Sequence, residues 1–243
     1  ICDTRFTPTL NFNEIFSYVK NDLTKLKSLQ LSMEKIMNNL LEESRKYGLN
    51  NSFYLHMMPN LGLEDGREIM KYATKNEFGT TDIQFILNGA IKETGLLFLL
   101  NKYISGRTGI YPFGENFNIR NAPKTLDELI KLCRDKIPTD QMPLLIGIGD
   151  TVTSAKDTKS NSWLRGGSDR GFLTLIQRLG ESYNKANQVI FVNSCNDQVS
   201  RPKVYGSDMT GISDPNDPLK FNMIISDGPE EYIHWFKQLA SNF

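Results

Sequence analysis

Residues 142–150 read MPLLIGIGD. Met142 to Gly149 is a continuous apolar run bounded by turn-forming residues, the pattern of a parallel strand buried on both faces. Asp150 follows it without a break. In open α/β sheets, ligands bind outside the carboxyl ends of the strands. A carboxylate placed there has solvent on one side and fixed backbone on the other. That position suits a Mg²⁺ ligand, because Mg²⁺ takes oxygen donors and commonly only one or two protein carboxylates. The plainer role for such an aspartate is a solvated turn or the N-cap of a following helix.

Working outward from this strand, a polar stretch over 151–168 leads to a helix over 169–180. Gln188 to Asn193, with VIFV at its centre, reads as a second buried strand. Residues 196–218 read as loop, Phe221 to Ile225 as a last strand and Pro229 to Ala240 as a last helix. Upstream lie helices over 91–104 and 127–134. Between them, 105–124 is rich in Gly, Pro, Asn and aromatics and reads as a long loop, a feature often functional in a compact domain. Alternating helices and strands from residue 89 onward make half of an open α/β sheet. Residues 1–88 have a different texture. Ile15, Val19, Leu23, Leu26, Met33, Ile36, Met37 and Leu40 recur at three- and four-residue steps, predicting one long helix or two in series over 13–47. Short strands over 52–58 and 81–87 and a helix over 65–75 complete a smaller α+β lobe. The expected division is therefore 1–88 and 89–243.

Composition narrows the function classes. The chain has 243 residues, 39% hydrophobic and 23% charged, enough to bury a real core in one large or two small domains. Lys plus Arg and Asp plus Glu both number 28, so the net charge is zero. A neutral chain offers no global argument for nucleic acid or an anionic membrane surface as partner. Cys2, Cys133 and Cys195 are far apart, with no CxxC spacing. They suggest neither a disulfide framework nor a zinc site, and the natural setting is cytoplasmic. No apolar run approaches the length of a membrane span, and the first residues carry no signal-peptide pattern.

Two further charged residues stand out. Asp169 lies in RGGSDRGFLTLIQRLG at the head of a helix. It suits an N-cap, or a carboxylate meeting Asp150 at one metal ion. Asp157, nearer in sequence, is the alternative second acid. Gly166 and Gly167 let the backbone pass close to such a site. Lys92 begins the helix after the Asn88-Gly89 turn, where a cation opposes the helix dipole. A broken local rule of this kind is expected at functional sites. There an ammonium and the helix N–H groups together can neutralise a phosphate.

A Lys at a helix start, an apolar strand ending in Gly-Asp, and an acid before Phe-Leu resemble motifs three and four of the haloacid dehalogenase superfamily. The resemblance implies that Lys92 stabilises a phosphorylated aspartate and that the acids hold Mg²⁺. It implies a HAD-like Rossmannoid core, of which 89–243 is the C-terminal half, and an α+β cap domain, of which 1–88 is part. In sugar-phosphate members the fourth motif resembles GDDxTDExxF. Here its second half is displaced to Ser168-Asp169-Arg170-Gly171-Phe172, which leaves Asp169 and Asp157 both open as the second ligand.

More closely, NSFYLHMMPNLG, GTTDIQF, GAIKETG, RTGIYPFGE, MPLLIGIGDTVTS and RGGSDRGFLTLIQ look like the glucosylglycerol 3-phosphate phosphatase family of compatible-solute synthesis under salt stress. This resemblance covers about residues 10 to 240. It implies a small-molecule sugar phosphate as substrate and the cognate glucosylglycerol-phosphate synthase as partner. His56, Asn60, Thr81 and Gly167 then become candidates for contacting the sugar, although a packed histidine is the plainer reading of His56. The family's nucleophilic aspartate, in a DxDG-like motif, has no counterpart here. Asp65-Gly66 lacks a preceding buried strand. With Ile1 as first residue, the chain reads as the later part of a longer enzyme. The rivals are a non-catalytic sugar-phosphate-binding module and a glycosyltransferase half-domain, the latter weakened by the lack of GxGxxG or GKS/T. A serine hydrolase is disfavoured by the lack of GxSxG.

Overall fold

A computed structural model describes residues 2–4, 7–12, 15, 18, 19, 21–49, 52–64, 67–75, 78–119, 121–157, 160–194 and 204–241. The chain is mixed α/β. Its buried apolar residues fall mainly into a cluster from Leu10 to Phe85 and a larger one from Leu97 to Leu219.

The first cluster lies between a helix and a four-stranded sheet. The sheet order is β1 (Cys2–Thr4), β2 (Thr7–Asn11), β6 (Asp82–Leu87), β3 (Phe53–Met58), antiparallel throughout. Helix α1 (Leu23–Lys46) starts where the Asp22 side chain accepts from the Lys25 N–H at 3.0 Å. The cap sets the start of this helix at Leu23, so the helical residues before it belong to a separate piece. Its buried face is Leu26, Gln30, Met33 and Met37, whereas Ile36 and Leu40 of the expected stripe face solvent. Gln30 is fully buried because its amide closes four backbone groups. It accepts from Ala73 N–H and donates to the carbonyls of Lys71, Phe78 and Thr80.

The helix expected over 65–75 is not found. Arg67–Met70 is strand β5, paired with β4 (Asn60–Glu64). Glu64 pairs with Arg67, so the Asp-Gly between them was a hairpin signal in the sequence. Glu68 supplies the tertiary reason. Its carboxylate accepts from Met57 N–H at 2.6 Å and Asn60 Nδ2 at 3.0 Å, bonds that a helix would forfeit.

The second cluster packs against a parallel sheet ordered β11 (Met223–Ile225), β10 (Gln188–Val192), β7 (Ile146–Gly149). Helices α2 (Lys92–Thr108), α3 (Leu126–Lys136) and α4 (Arg170–Tyr183) supply half of its buried residues. Tyr232 and Trp235 of α5 (Pro229–Ser241) cover Ile190, Val192 and Ile225. The decisive strand is not buried on both faces as expected. Ile146 is 47% exposed, because β7 is an outer strand among the described residues. The polar stretch 151–168 contains a hairpin, β8 (Thr153–Lys156) against β9 (Trp163–Gly166), which the sequence reading missed.

Two arginine–aspartate pairs strap residues 214–217 to this hairpin and to α4. Arg165 donates to both Asp214 oxygens at 2.8 and 2.9 Å, holding that carboxyl well below the usual range. Arg170 grips Asp217 through two nitrogens, also at 2.8 and 2.9 Å, and the Asp217 side chain has no solvent exposure. Asp217→Ala should therefore cost about 3–5 kcal/mol, because it strands a mostly buried guanidinium. Chemical denaturation checks this. A loss within the range of an exposed ion pair, about 0–1 kcal/mol, would show the strap to be ornamental.

Candidate active site

Three charged side chains far apart in sequence converge at the carboxyl end of β7. Asp169 is their centre. It occupies the N-cap position of α4, yet its side chain makes no capping bond to that helix. Instead Oδ2 accepts from the backbone N–H groups of Asp150 and Thr151, each at 2.9 Å. Oδ1 accepts from the Lys92 ammonium. The plain capping role is thus vacated for one that ties α4, the end of β7 and the head of α2 together. Gly149 makes the approach possible, since a Cβ there would fall 2.8 Å from the Asp169 Cβ.

Asp150 is held differently. Thr151 Oγ1 donates to its Oδ1 at 2.7 Å, and Ser194, just beyond β10, donates to its Oδ2. Both of these donors are neutral hydroxyls, and the residue is part-exposed. Asp169 has spent its oxygens on Lys92 and two amides, and its side chain is only 6% exposed. Of the two acids, Asp150 is the less buried. Lys92 is 54% exposed along its side chain and turns the rest of its ammonium toward the same solvent.

Glu93 is half-buried beside Lys92. Burial, and to a lesser degree the charge of Asp169, push its carboxyl above the usual range against the pull of Lys92 and His56. Asp150, Asp169 and Glu93 thus place three acids beside Lys92 at this end of β7. A dianionic phosphoryl group is repelled by such a site unless a divalent cation is bound with it. No group of three or more His, Cys, Asp or Glu able to hold a metal occurs among the described residues.

The remaining expected site residues are placed as follows. Asp157 is not brought to this site. It lies past the far end of β8, about 13 Å of strand beyond Thr153, where it accepts from Ser160 N–H at 3.1 Å in the hairpin turn. Asn60 and Gly167 meet each other. Asn60 Oδ1 accepts from Gly62 and Gly167 N–H, both at 3.1 Å, and its carbonyl accepts from Thr153 Oγ1 at 2.8 Å. Asn60 thus pins β4 to the β8–β9 hairpin, with little capacity left for a ligand. Thr81 is fully buried and its hydroxyl donates to Asp82. His56 Nδ1 lies 2.7 Å from Glu68 Oε1.

Sequence reasoning overlooked Thr151, Ser194, Glu93 and Glu68. The strand-end rule that selected Asp150 also selects Ser194. Glu93 carried no signal beyond adjacency to Lys92. Glu68 was hidden by its assignment to a helix.

The chain matches the family model described as glucosylglycerol-phosphate phosphatase over residues 1–240. It is 38% identical over 252 aligned positions to the glucosylglycerol-phosphate phosphatase of Synechocystis sp.. That alignment covers 99% of this chain and 60% of the relative. No solved structure is significantly similar to the chain.

Proposed function

The chain belongs to the glucosylglycerol-phosphate phosphatase family, and from that premise we propose that it supplies the metal- and phosphate-holding half of a phosphatase that releases glucosylglycerol from glucosylglycerol 3-phosphate. The observation that carries the reading is the meeting of Lys92, Asp150 and Asp169 at the end of β7. Residues 89–243 are read as the C-terminal half of a HAD-like core, and 1–88 as part of its α+β cap. The chain spans about 60% of the length of the curated relative it matches.

Each residue has a defined task. Asp150 would hold Mg²⁺ directly, oriented by Thr151 and Ser194. Asp169 fixes the Lys92 ammonium and the backbone on which Asp150 rides. Lys92 lies against the phosphoryl oxygens and balances their charge as the phosphorus–oxygen bond to the sugar breaks. Mg²⁺, when bound, supplies Lewis-acid stabilisation of those same oxygens. The nucleophile is an aspartate from outside these 243 residues. It attacks phosphorus, the polyol leaves, and water then releases phosphate from the aspartyl-phosphate. The outer flank of β7, where Leu144 and Ile146 are exposed, has room for a further strand ending beside Asp150. The cap lobe closes over the sugar and excludes water, with Asn60 and Gly167 at its joint to the core and His56 and Thr81 in the lobe itself. The substrate arrives from the cognate glucosylglycerol-phosphate synthase in the cytoplasm. No helix of the described residues is long and apolar enough to cross a membrane.

A single comparison tests this reading. The protein that carries this chain should release phosphate from glucosylglycerol 3-phosphate only with Mg²⁺ present, while residues 1–243 alone should release none. Turnover by the isolated chain means that the nucleophile lies within it. Substrate binding without turnover in the whole protein means a binding module instead of an enzyme.

A further inference from the structure

Lys92 is followed at once by an acid that the chemistry above does not use. The Glu93 carboxylate lies against the first turn of α4, directly over the bare Cα of Gly171. A Cβ on Gly171 would fall 1.7 Å from Glu93 Oε1. Glu93 makes no hydrogen bond or ion pair to any other described residue, although Lys92, Asp169 and His56 all lie within its electrostatic reach. A half-buried carboxylate in a snug seat, with only its own backbone N–H as a donor among the described residues, is costly unless something uses it.

The cap strand β3 lies within electrostatic reach of Glu93. Tyr54 and His56 are two residues apart and so share one face of that strand, with their rings in edge contact at 6.4 Å. Glu68 engages Nδ1 of His56, and Nε2 has no hydrogen-bond partner among the described residues. The Tyr54 phenol is pushed up to about 12 by burial first, then by the charges of Glu68 and Glu93. It stays a neutral donor, and its hydroxyl has no partner among the described residues. Glu93, the His56 ring and the Tyr54 hydroxyl, contributed by both lobes, thus lie within electrostatic reach of one another with hydrogen-bonding capacity left over. A carboxylate, an imidazole and a phenol with an apolar face are the groups that recognise a hydroxylated ring. The carboxylate accepts from hydroxyls, the imidazole and phenol exchange with them, and the aromatic edge covers C–H surface.

We propose that Glu93, together with His56 and Tyr54, forms the subsite for the hydroxyl groups of the substrate's polyol end, and that Glu93 is the specificity-determining member. This rests on the reading of Lys92 and Asp150 as the phosphoryl end. Glu93 then sits one residue from the phosphate-binding amine, so it engages the hydroxyls nearest the phosphoester. His56 and Tyr54 engage those farther out, on the lobe opposite. Glu68, by fixing His56 through Nδ1, is a positioning residue that leaves Nε2 to face the ligand.

Glu93→Ala and Gly171→Ala test the proposal by independent routes. The first removes the carboxylate. The second keeps it but pushes it out of its seat with a methyl group, and alanine in a helix preserves the fold. The readout is the ratio of kcat/KM for glucosylglycerol 3-phosphate to kcat/KM for p-nitrophenyl phosphate, whose leaving group has no hydroxyls to offer the subsite. Both variants should lower that ratio roughly 10-fold to 100-fold, the range for a lost hydrogen bond to a charged group. Glu93→Gln, which keeps one acceptor oxygen, should recover part of it. Equal losses on the two substrates would place Glu93 with the phosphoryl machinery and overturn the subsite. An unchanged ratio in both variants would overturn it as well.

Calorimetric binding separates this failure from failure of the enzymatic reading. Weakened binding of glucosylglycerol 3-phosphate relative to inorganic phosphate in the variants upholds the subsite even where the parent protein turns nothing over. Turnover with no such discrimination upholds the phosphatase and sinks the subsite.

Discussion

Asparagine at position 150 should leave the protein that carries this chain with roughly a hundredth to a thousandth of its turnover on glucosylglycerol 3-phosphate. The substitution is nearly isosteric, and Thr151 and Ser194, which donate to the side chain, carry hydroxyls that can donate or accept. The local packing therefore survives and only the charge is lost. That charge is what attracts the cation, because Asp169 has already committed its oxygens to Lys92 and two backbone amides. The Mg²⁺ concentration for half-maximal rate should rise by at least about tenfold, in line with changes that disturb a metal's ligand set. Initial rates of phosphate release across a Mg²⁺ series give both quantities. Unchanged turnover with an unchanged Mg²⁺ requirement would remove Asp150 from the site and leave Asp169 to be reconsidered as ligand.

The elements that were legible in the sequence are those in which local pattern and tertiary packing agree. VIFV is buried as strand β10, and the amphipathic stretches around 127–134 and 169–180 are helices α3 and α4. The failures cluster where a single side chain overrides the local pattern. Arg67–Met70 is drawn into a strand by the three partners of Glu68, two on β3 and one at the start of β4. The β8–β9 hairpin is anchored by Asp214 from nearly fifty residues away, and no window along the chain records that. The site follows the same logic. Asp150 and Lys92 were visible because each breaks or exploits a rule at the end of an element. Asp157 was an attractive alternative only by sequence distance, and the hairpin that carries it away was not foreseen. Glu93 obeys every local rule, being an acid in the first turn of a helix. Its separate position emerges only from the bare Cα of Gly171, which the chain brings to it from 78 residues further on.

Replacing Lys92 by alanine should lower turnover by about 10²–10³-fold while barely changing stability, and the contrast between the two is the informative part. The Lys92–Asp169 pair is half-solvated on the lysine side. Exposed pairs of that kind contribute about 0–1 kcal/mol to folding, and Asp169 retains two backbone donors after Lys92 is gone. A denaturation midpoint close to the parent's is therefore expected. The kinetic loss has a different origin. As the phosphoryl group transfers, its negative charge moves onto oxygens that an ammonium held rigidly by a buried acid can meet without reorganising, and loss of one such partner is worth about 3–4 kcal/mol of barrier. If Lys92 served only to neutralise Asp169, the barrier and the stability would change by similar small amounts, and Asp169→Asn would restore the balance in the double variant. If it serves the phosphoryl group, Lys92→Ala/Asp169→Asn stays as slow as Lys92→Ala alone. Single-turnover rates and urea melts on the two single variants and the double variant decide between these outcomes. Recovery of turnover in the double variant would return Lys92 to the status of a surface lysine.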